Sequence, residues 1–446
     1  MNAAAQTIRR QPLADTPAGW IPLAELSVMG TAYPPPTVDW AVIGAGFTGL
    51  AAARRLAELN PDATVALIEA RPVGWGSSGR NAGFVIDLPH KFDLDGSDPE
   101  RMRRIVRLNK TAIADLERLV AEHGISCEWS RAGKLQAAIG DTGMAGMRVF
   151  ARALDGIKQP YNMLDRAAVA DVTGTEYYQG AIFTPNCILM NPARLVRGLA
   201  RSLPGNVVLL DGCPVVCQER EGNGFKITIR RNGVPVPVKA RGIVAATNAY
   251  TPEFGWMRDR IVPVATFASL TRPLTDEEFA SFGGRLDWGM TPADVGGTTL
   301  RMTQDRRLLV RNQYDYVGQY SASDQTLDRV RRSHRLALSR RWPQLAGIPF
   351  DSTWGGVTAL ARNRVSFFGK MADGVWSSNT HNGVGVARGT ISGRLLAEAA
   401  SGHDSELLAD MEAISGMPAR NPPRPFVGIG VKTRLRYEAW KSRKEI

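Results

Sequence analysis

The chain has 446 residues, 44% of them hydrophobic and 22% charged, with a formal net charge of +12. That length argues for two domains rather than one ordinary core, and the composition is that of a globular protein. No apolar run approaches the roughly 18 residues of a membrane span, the four cysteines are too scattered for a disulfide framework, and the five histidines show no paired metal-ligand spacing, so no metal is expected.

The opening residues, MNAAAQTIRRQPLADTPAG, have two arginines but no apolar stretch behind them, so residues 1–35 are expected to be a flexible leader and not a secretory signal. The proline-rich TAYPPPTVDW (31–40) cannot continue a helix and delivers extended chain. Asp39 to Ile43 reads as a buried strand, and Gly44 opens a turn. From Phe47 the apolar residues Leu50, Ala51, Ala53, Leu56 and Leu59 recur at helical period until Asn60-Pro61-Asp62 stops them. TVALIE (64–69) is the next strand, which completes a β-α-β unit.

A long amphipathic helix follows over 101–124, then short strands at KLQAAI (134–139), AIFTP (181–185) and VVLL (207–210). Residues 225–250 read as a hairpin turning at Asn232-Gly233 and running into a buried strand. Strands around 298–304 and 307–312 precede a helix across 324–341. There Arg329 and Arg332 should be wet, and Val330 and Leu336 dry. A solvated face explains its arginines better than nucleic acid does, although the positive field would still draw anionic substrates or a dinucleotide. The βα pattern returns at 374–379 and 386–400, and the last thirty residues, with NPPRPF (421–426), form an extension. Cys127, Cys187, Cys213 and Cys217 read as buried free thiols, which fits a reducing cytoplasm.

The loop VIGAGFTGL (42–50) lies between a strand and a helix, the context a G-x-G-x-x-G phosphate loop requires. Gly44 permits the tight turn, Gly46 lets backbone approach a pyrophosphate, and Gly49 lets the helix pack on the sheet. Ala45, Phe47 and Thr48 complete the loop, whose free N–H groups favour an anion. Glu69, twenty residues beyond Gly49, ends the second strand where a carboxylate accepts ribose hydroxyls. This fingerprint does not separate NAD from FAD. Ala70, Arg71 and the polar stretch Gly76, Ser77, Ser78, Arg80, Asn81, Ala82 and Gly83 lead on into a loop suited to a flat, extended cofactor. Ser77, Ser78 and Asn81 are its donors, and Arg71 and Arg80 are placed to balance a pyrophosphate.

VIGAGFTGL, the strand end Glu69-Ala70-Arg71 and GWGSSGRNAG (74–83) resemble the FAD-dependent amine and amino-acid oxidase family, which includes D-amino-acid oxidase, glycine oxidase and sarcosine oxidase. IVAATNAY (243–250), WGGVTALARNRVSFFG (354–369) and NTHNGVGVARGTISGRLLAEAASG (379–402) continue the resemblance, which spans about residues 36 to 410. The SGRNAG-type loop and the proline-rich extension are most similar to the γ-glutamylputrescine oxidase branch. The resemblance implies an α/β, overall α+β, architecture. A Rossmann-like FAD-binding domain is assembled from 36–125, 190–252 and 352–410. Residues 126–189 and 253–351 form an inserted substrate domain on a mixed, largely antiparallel sheet, and 411–446 remain as an extension.

The resemblance further implies that Val215 offers its backbone to the adenine and that Ala246, Thr247 and Asn248 flank the adenosine. Trp354, Gly355 and Asn382 join the cofactor site, with Gly383, Val384, Gly385 and Val386 meeting the flavin through backbone N–H groups. Relatives that attach FAD covalently use a histidine where this chain has Arg80, or a cysteine near Gly355–Gly356, where it has none; noncovalent FAD is expected. The lysine that promotes oxygen reduction in sarcosine oxidase is matched by Val310, beside Arg311. His381 is displaced from the family's usual histidine, and two readings stay open: a substrate-facing group or a backbone partner. The implied activity is oxidation of a C–N bond in a small amine or amino acid by hydride transfer to flavin N5, giving an imine that is hydrolysed. Oxygen or another acceptor takes the electrons. Arg311, Tyr314 and Tyr316 are the pocket candidates, with Arg311 for a substrate carboxylate. The rival readings are a dehydrogenase with a non-oxygen acceptor, an enzyme modifying an RNA base, and a binding subunit of a larger complex.

Overall fold

The computed structural model describes residues 5–12, 16–30, 32–89, 98–294, 296–318, 323–423 and 425–446. Its first sheet has nine strands, built around Thr37–Ile43. Val65–Ile68 and then Val207–Leu210 pair parallel on one side of that strand, and the second half of Val234–Ala245 pairs parallel on the other. Val375–Asn379 continues the parallel set beyond Val234–Ala245. The first half of Val234–Ala245 runs antiparallel to Gly224–Arg231, so this one long strand joins a parallel half-sheet to a hairpin. Asn232 and Gly233, both at positive φ, make the turn, as an Asn-Gly pair should.

Alternation along the central strand divides two cores. Val42 faces the side covered by helices Phe47–Leu59, Pro99–Glu122, Pro192–Arg201 and Gly385–Ala400, whereas Ala41 and Ile43 face the opposite side with Ile8, Ile227 and Ile243. The first helix and Gly385–Ala400 pack backbone to backbone. A Cβ added to Gly393 would lie 2.1 Å from the Thr48 carbonyl oxygen. No helix among the described residues is long and apolar enough to cross a membrane.

The second sheet has eight strands and is antiparallel except where Trp288–Pro292 pairs with Lys134–Ala138. Helix Asp324–Arg341 covers one of its faces with Leu327, Val330, His334, Ala337 and Leu338. Leu336, expected on that dry face, is 45% exposed, because the buried stripe runs through His334 instead. The imidazole of His334 is retained by Ser269 at 2.7 Å and by the Asn312 N–H at 3.3 Å. Phe350–Leu360 pairs with Val262–Thr271 in this sheet, so the boundary expected at residue 352 falls inside one of its strands.

The leader differs most from expectation. Gln6–Thr7 adds a strand to the first sheet beside Val215–Glu221. Ala18, Trp20, Ile21 and Leu26 are buried with Ala268, Leu309 and Trp354 of the second sheet and with Ala193 of helix Pro192–Arg201. These apolar residues bury more surface docked than free, so the described leader residues are packed and not loose.

Candidate active site

Parallel strands deliver their loops to one edge, and at their carboxyl ends the structure gathers residues 44–46, 69–76, 211–214, 246–248 and 380–384. Helices Phe47–Leu59 and Gly385–Ala400 both start there, and neither has a side-chain cap. First-turn N–H groups of both helices, that of Phe47 apart, therefore lie along one edge, where the helix dipoles favour negative charge. Gly44 sits at φ +103°, and a Cβ there would meet the Ala246 oxygen at 2.6 Å; at Gly49 it would lie 1.7 Å from the Gly44 oxygen. By contrast a Cβ at Gly76, Gly383 or Gly385 meets nothing within 4 Å. The groove is thus tight where the chain turns and open where backbone lines it, which fits a long cofactor with an anionic centre.

Glu69 lies at the end of the second strand. Its Oε2 accepts from the Ala45 N–H at 2.8 Å and its Oε1 from the Arg71 N–H at 3.2 Å. Burial pushes its pKa up to about 7; the backbone donors oppose that shift, and the nearby Asp211 charge adds to it. The Phe47 N–H donates to Ser78 Oγ at 3.1 Å, which ties the glycine loop to the polar loop after Glu69.

That polar loop is held differently from expectation. Arg71 Nε donates to the Pro12 carbonyl at 2.8 Å. Arg80 donates to the carbonyls of Trp75 at 2.6 Å, Gly355 at 2.9 Å and Thr16 at 2.5 Å. The Arg80 guanidinium is thus wholly engaged in clamping the leader and the loop, and Arg71 meets the leader through its Nε. Ser77 Oγ donates to the Val357 carbonyl. Asn81 bridges the Ser78 carbonyl at 2.7 Å and the Gly83 N–H at 2.8 Å, so its amide stabilises the loop itself. Ala70 and Ala82 are half-buried alongside. The Val215 carbonyl accepts from Gln11 at 2.7 Å, so the leader already holds this acceptor.

On the next strand Ala246 N–H donates to Ile43 at 2.9 Å, and Thr247 Oγ1 lies 2.8 Å from Thr251 Oγ1. Asn248, at φ 46°, donates to Val357 at 3.1 Å and accepts from the Ala359 N–H at 3.2 Å, joining the two sheets. Asn382 accepts from Ala361 at 3.1 Å and donates to Arg364 at 2.8 Å, which fixes the turn before Gly383, Val384, Gly385 and Val386.

Strand Leu308–Tyr316 of the second sheet turns one face toward this edge. Arg311 stands opposite Ala268, which stands opposite Trp354 on the next strand, and Trp354 Nε1 donates to the Arg80 carbonyl at 3.0 Å. Gln313, at φ 61°, is an extra residue in the ladder. This bulge returns Tyr314 and Tyr316 to the face of Arg311. The Arg311 guanidinium lies 5.2 Å from the Tyr314 ring centre and 3.3 Å from Thr299 Oγ1. Val310 points the other way: it is fully buried with Leu300, Met302 and Leu338 under helix Asp324–Arg341. The lysine match at Val310 therefore fails, because strand alternation turns that side chain from the groove.

His381 is not part of the Arg311 cluster. Its Nε2 lies 3.4 Å from Thr48 Oγ1, between the starts of the two helices, and its Nδ1 is a buried atom with no hydrogen-bond partner. Burial, with a smaller contribution from Arg388, pulls its pKa down to about 3, so the imidazole is neutral.

Three features escaped the sequence reading. Asp211 ends the third parallel strand as Glu69 ends the second, and accepts from the N–H groups of Met29 at 2.8 Å and Val73 at 3.0 Å; the acid directly after VVLL was the available signal. Arg301 is fully buried, donates to the Met190 carbonyl at 2.6 Å and lies 5.2 Å from the Trp20 ring centre. Trp20 Nε1 donates to the Asn81 carbonyl at 2.9 Å. The apolar run from Trp20 to Met29 was the available signal in the leader.

A family model described as FAD dependent oxidoreductase (DAO) matches residues 39–399. Among curated proteins, the chain is 27% identical over 413 residues to a gamma-glutamylputrescine oxidoreductase of Escherichia coli, covering 88% of this chain and 91% of that one. It is 25% identical over 404 residues to the probable oxidoreductase OrdL of Haemophilus influenzae, covering 84% and 86%. Among solved structures, glycine oxidase from Geobacillus kaustophilus superposes with a TM-score of 0.71 at 17% identity, over 87% of this chain and all of that one. L-proline dehydrogenase from P. horikoshii gives 0.68 at 18% identity, over 85% and 97%. The chain belongs to the FAD dependent oxidoreductase (DAO) family and is an FAD-dependent oxidoreductase.

Proposed function

We propose that this FAD-dependent oxidoreductase oxidises the C–N bond of a small amine or amino acid, and that Arg311, Tyr314 and Tyr316 receive the substrate. The observation that carries this reading is the Gln313 bulge, which turns one cation and two phenol rings to the face nearest the cofactor edge. The named relatives, a gamma-glutamylputrescine oxidoreductase, a glycine oxidase and an L-proline dehydrogenase, agree in substrate class.

Bound flavin supplies a two-electron acceptor for the hydride on the carbon beside nitrogen. The chain's own residues do the rest. Gly46 and the first helix start would hold a pyrophosphate by backbone N–H groups, with Gly44 making the turn and Gly49 the close helix contact, and Glu69 would take the ribose hydroxyls. The uncapped start at Val384–Gly385 would set a positive dipole beside bound flavin and favour the anionic reduced form. Arg311 pairs with an anionic substrate group, and the tyrosines orient the nitrogen end. Trp354 and Leu309 keep water from that face. His381, neutral and buried, supports the helix start and takes no proton. We assign 36–125, 190–252 and 361–410 to the cofactor-binding unit and the second sheet to the substrate unit. Three buried free thiols favour work in a reducing cytoplasm.

Anaerobic mixing with a panel of amines and amino acids tests this. Flavin absorbance should bleach with some of them, and Arg311→Met should raise the concentration needed about tenfold or more for an anionic substrate. No bleaching with any of them would refute the reading. Reoxidation of the bleached enzyme by oxygen, against an artificial acceptor, separates oxidase from dehydrogenase.

A further inference from the structure

The C-terminal helix Phe426–Lys441 carries apolar residues on two opposite faces. Val427, Val431, Leu435 and Ala439 are half-buried against the body, and Gly428 sits close to the Tyr316 ring. Its far end is anchored: the Tyr177 hydroxyl donates to Lys444 at 2.7 Å, and Thr298 N–H and Arg341 donate to the Glu445 carbonyl at 3.1 and 2.8 Å. The helix is therefore fixed in place by one side. On the other side Phe426, Ile429, Tyr437 and Trp440 are 66%, 60%, 51% and 60% exposed. At 100° per residue they form one stripe along the axis, with Thr433 between them.

Basic residues border this stripe on both sides. Lys432 and Arg436 lie along one flank, Arg434 and Lys441 along the other, and Glu438 is the helix's one acid. Arg434 pairs with Glu438 and lies 5.7 Å from the Tyr437 ring centre, and Arg443 lies 4.9 Å from that of Trp440. Beyond the helix, Arg340 donates to the carbonyls of Arg443 and Ile446. The tail thereby meets the arginine-rich helix Asp324–Arg341, where Arg329, Arg331, Arg332 and Arg335 are exposed or half-exposed.

We propose that this outer face docks on an anionic lipid bilayer, with the aromatic stripe in the headgroup region and the two basic rows on lipid phosphates. A fixed helix with aromatic residues flanked by Lys and Arg matches an interfacial helix, and Trp and Tyr favour the boundary between headgroups and acyl chains. Each basic side chain near such a surface adds to the attraction. A second copy of this chain fits less well, because pairing two stripes would bring like-charged rows together.

The test is sedimentation of holoenzyme with lipid vesicles at about 0.15 M salt. Vesicles of phosphatidylcholine with about one third phosphatidylglycerol should carry the enzyme down, and pure phosphatidylcholine should not. The triple variant Phe426→Ser/Tyr437→Ser/Trp440→Ser should lower the bound fraction about tenfold or more, and Lys432→Glu/Arg436→Glu should abolish the preference for anionic lipid. Flavin content and melting temperature equal to wild type show that the variants are folded. Absence of wild-type binding to anionic vesicles overturns the proposal, as does equal binding by the triple variant. So does light scattering that shows a wild-type dimer turned monomer by the triple variant, since the stripe would then belong to a second copy.

Discussion

Glu69 was legible in the sequence because two regular signals, a strand end and a twenty-residue spacing, fixed where it lies. Its surroundings lead to two measurements. A charge-assisted hydrogen bond is worth roughly 1.5–3 kcal/mol, so Glu69→Ala should weaken FAD binding about ten- to a hundredfold by titration of the stripped enzyme; an unchanged affinity removes Glu69 from the cofactor site. In flavin-free protein the carboxyl holds its proton up to about pH 7, whereas the unfolded chain loses it near 4.5. Across that window the folded state binds more protons, so stability must fall as pH rises from about 4.5 to 7. Glu69→Gln should flatten that decline in a melting series, and parallel curves would show that the group is not desolvated. Arg71, Arg80 and Val310 were not legible at this scale. Which way a side chain points depends on strand alternation and on a leader that meets the loop only in three dimensions. Val310→Lys should lower the melting temperature steeply, because a charge would enter an apolar core, and should not speed reoxidation by oxygen. Faster reoxidation in stopped flow, with stability intact, would put residue 310 back at the flavin.

Elements with a clear period were read nearly to their ends. The helix across 324–341 and the hairpin turn at Asn232-Gly233 stand where periodicity and turn chemistry put them. The C-terminal helix was read only as an extension, since apolar residues on both its faces cancel the periodic signal that marks a half-buried helix. Helices Asp141–Gly156 and Pro192–Arg201 also went unread between strand candidates. Packing between elements leads to a paired measurement on two helical glycines. A Cβ at Gly393 would press on the Thr48 backbone oxygen, which cannot yield without moving the first helix, whereas at Gly146 it meets nothing within 4 Å. Gly393→Ala should therefore cost about 1–3 kcal/mol or prevent folding, and Gly146→Ala should stabilise by about 0.4–1 kcal/mol through the unfolded chain. Thermal melts of the two variants decide it; equal shifts would mean that the helix pair is looser than described.

For the whole molecule, the sequence carried the two-part plan, because the family motifs recur in order along most of its length. It did not carry the seam at Trp20, Arg301 and Asn248: Trp20 and Arg301 stand in no motif, and the motif around Asn248 points to the adenosine, not to the Val357 carbonyl that it meets. The cofactor is expected to be held without a covalent bond: Arg80 occupies the histidine position, and none of the cysteines lies after residue 217. Acid precipitation should release all yellow colour to the supernatant, and colour retained in the pellet would refute this.

The groove also imposes an order on events in the cell. Its first wall, the glycine loop, emerges early from the ribosome, but the opposite wall at Val384–Gly385 emerges only after nearly the whole chain. The strand that positions it, Val375–Asn379, must then pair with one made long before. At about 5–20 residues per second, roughly 20–70 s of translation separate the two walls. A nascent chain therefore has half a nucleotide site and no means of closing it. Flavin capture is a late step, and fragments truncated by a premature stop before residue 380 should emerge colourless whatever the flavin supply.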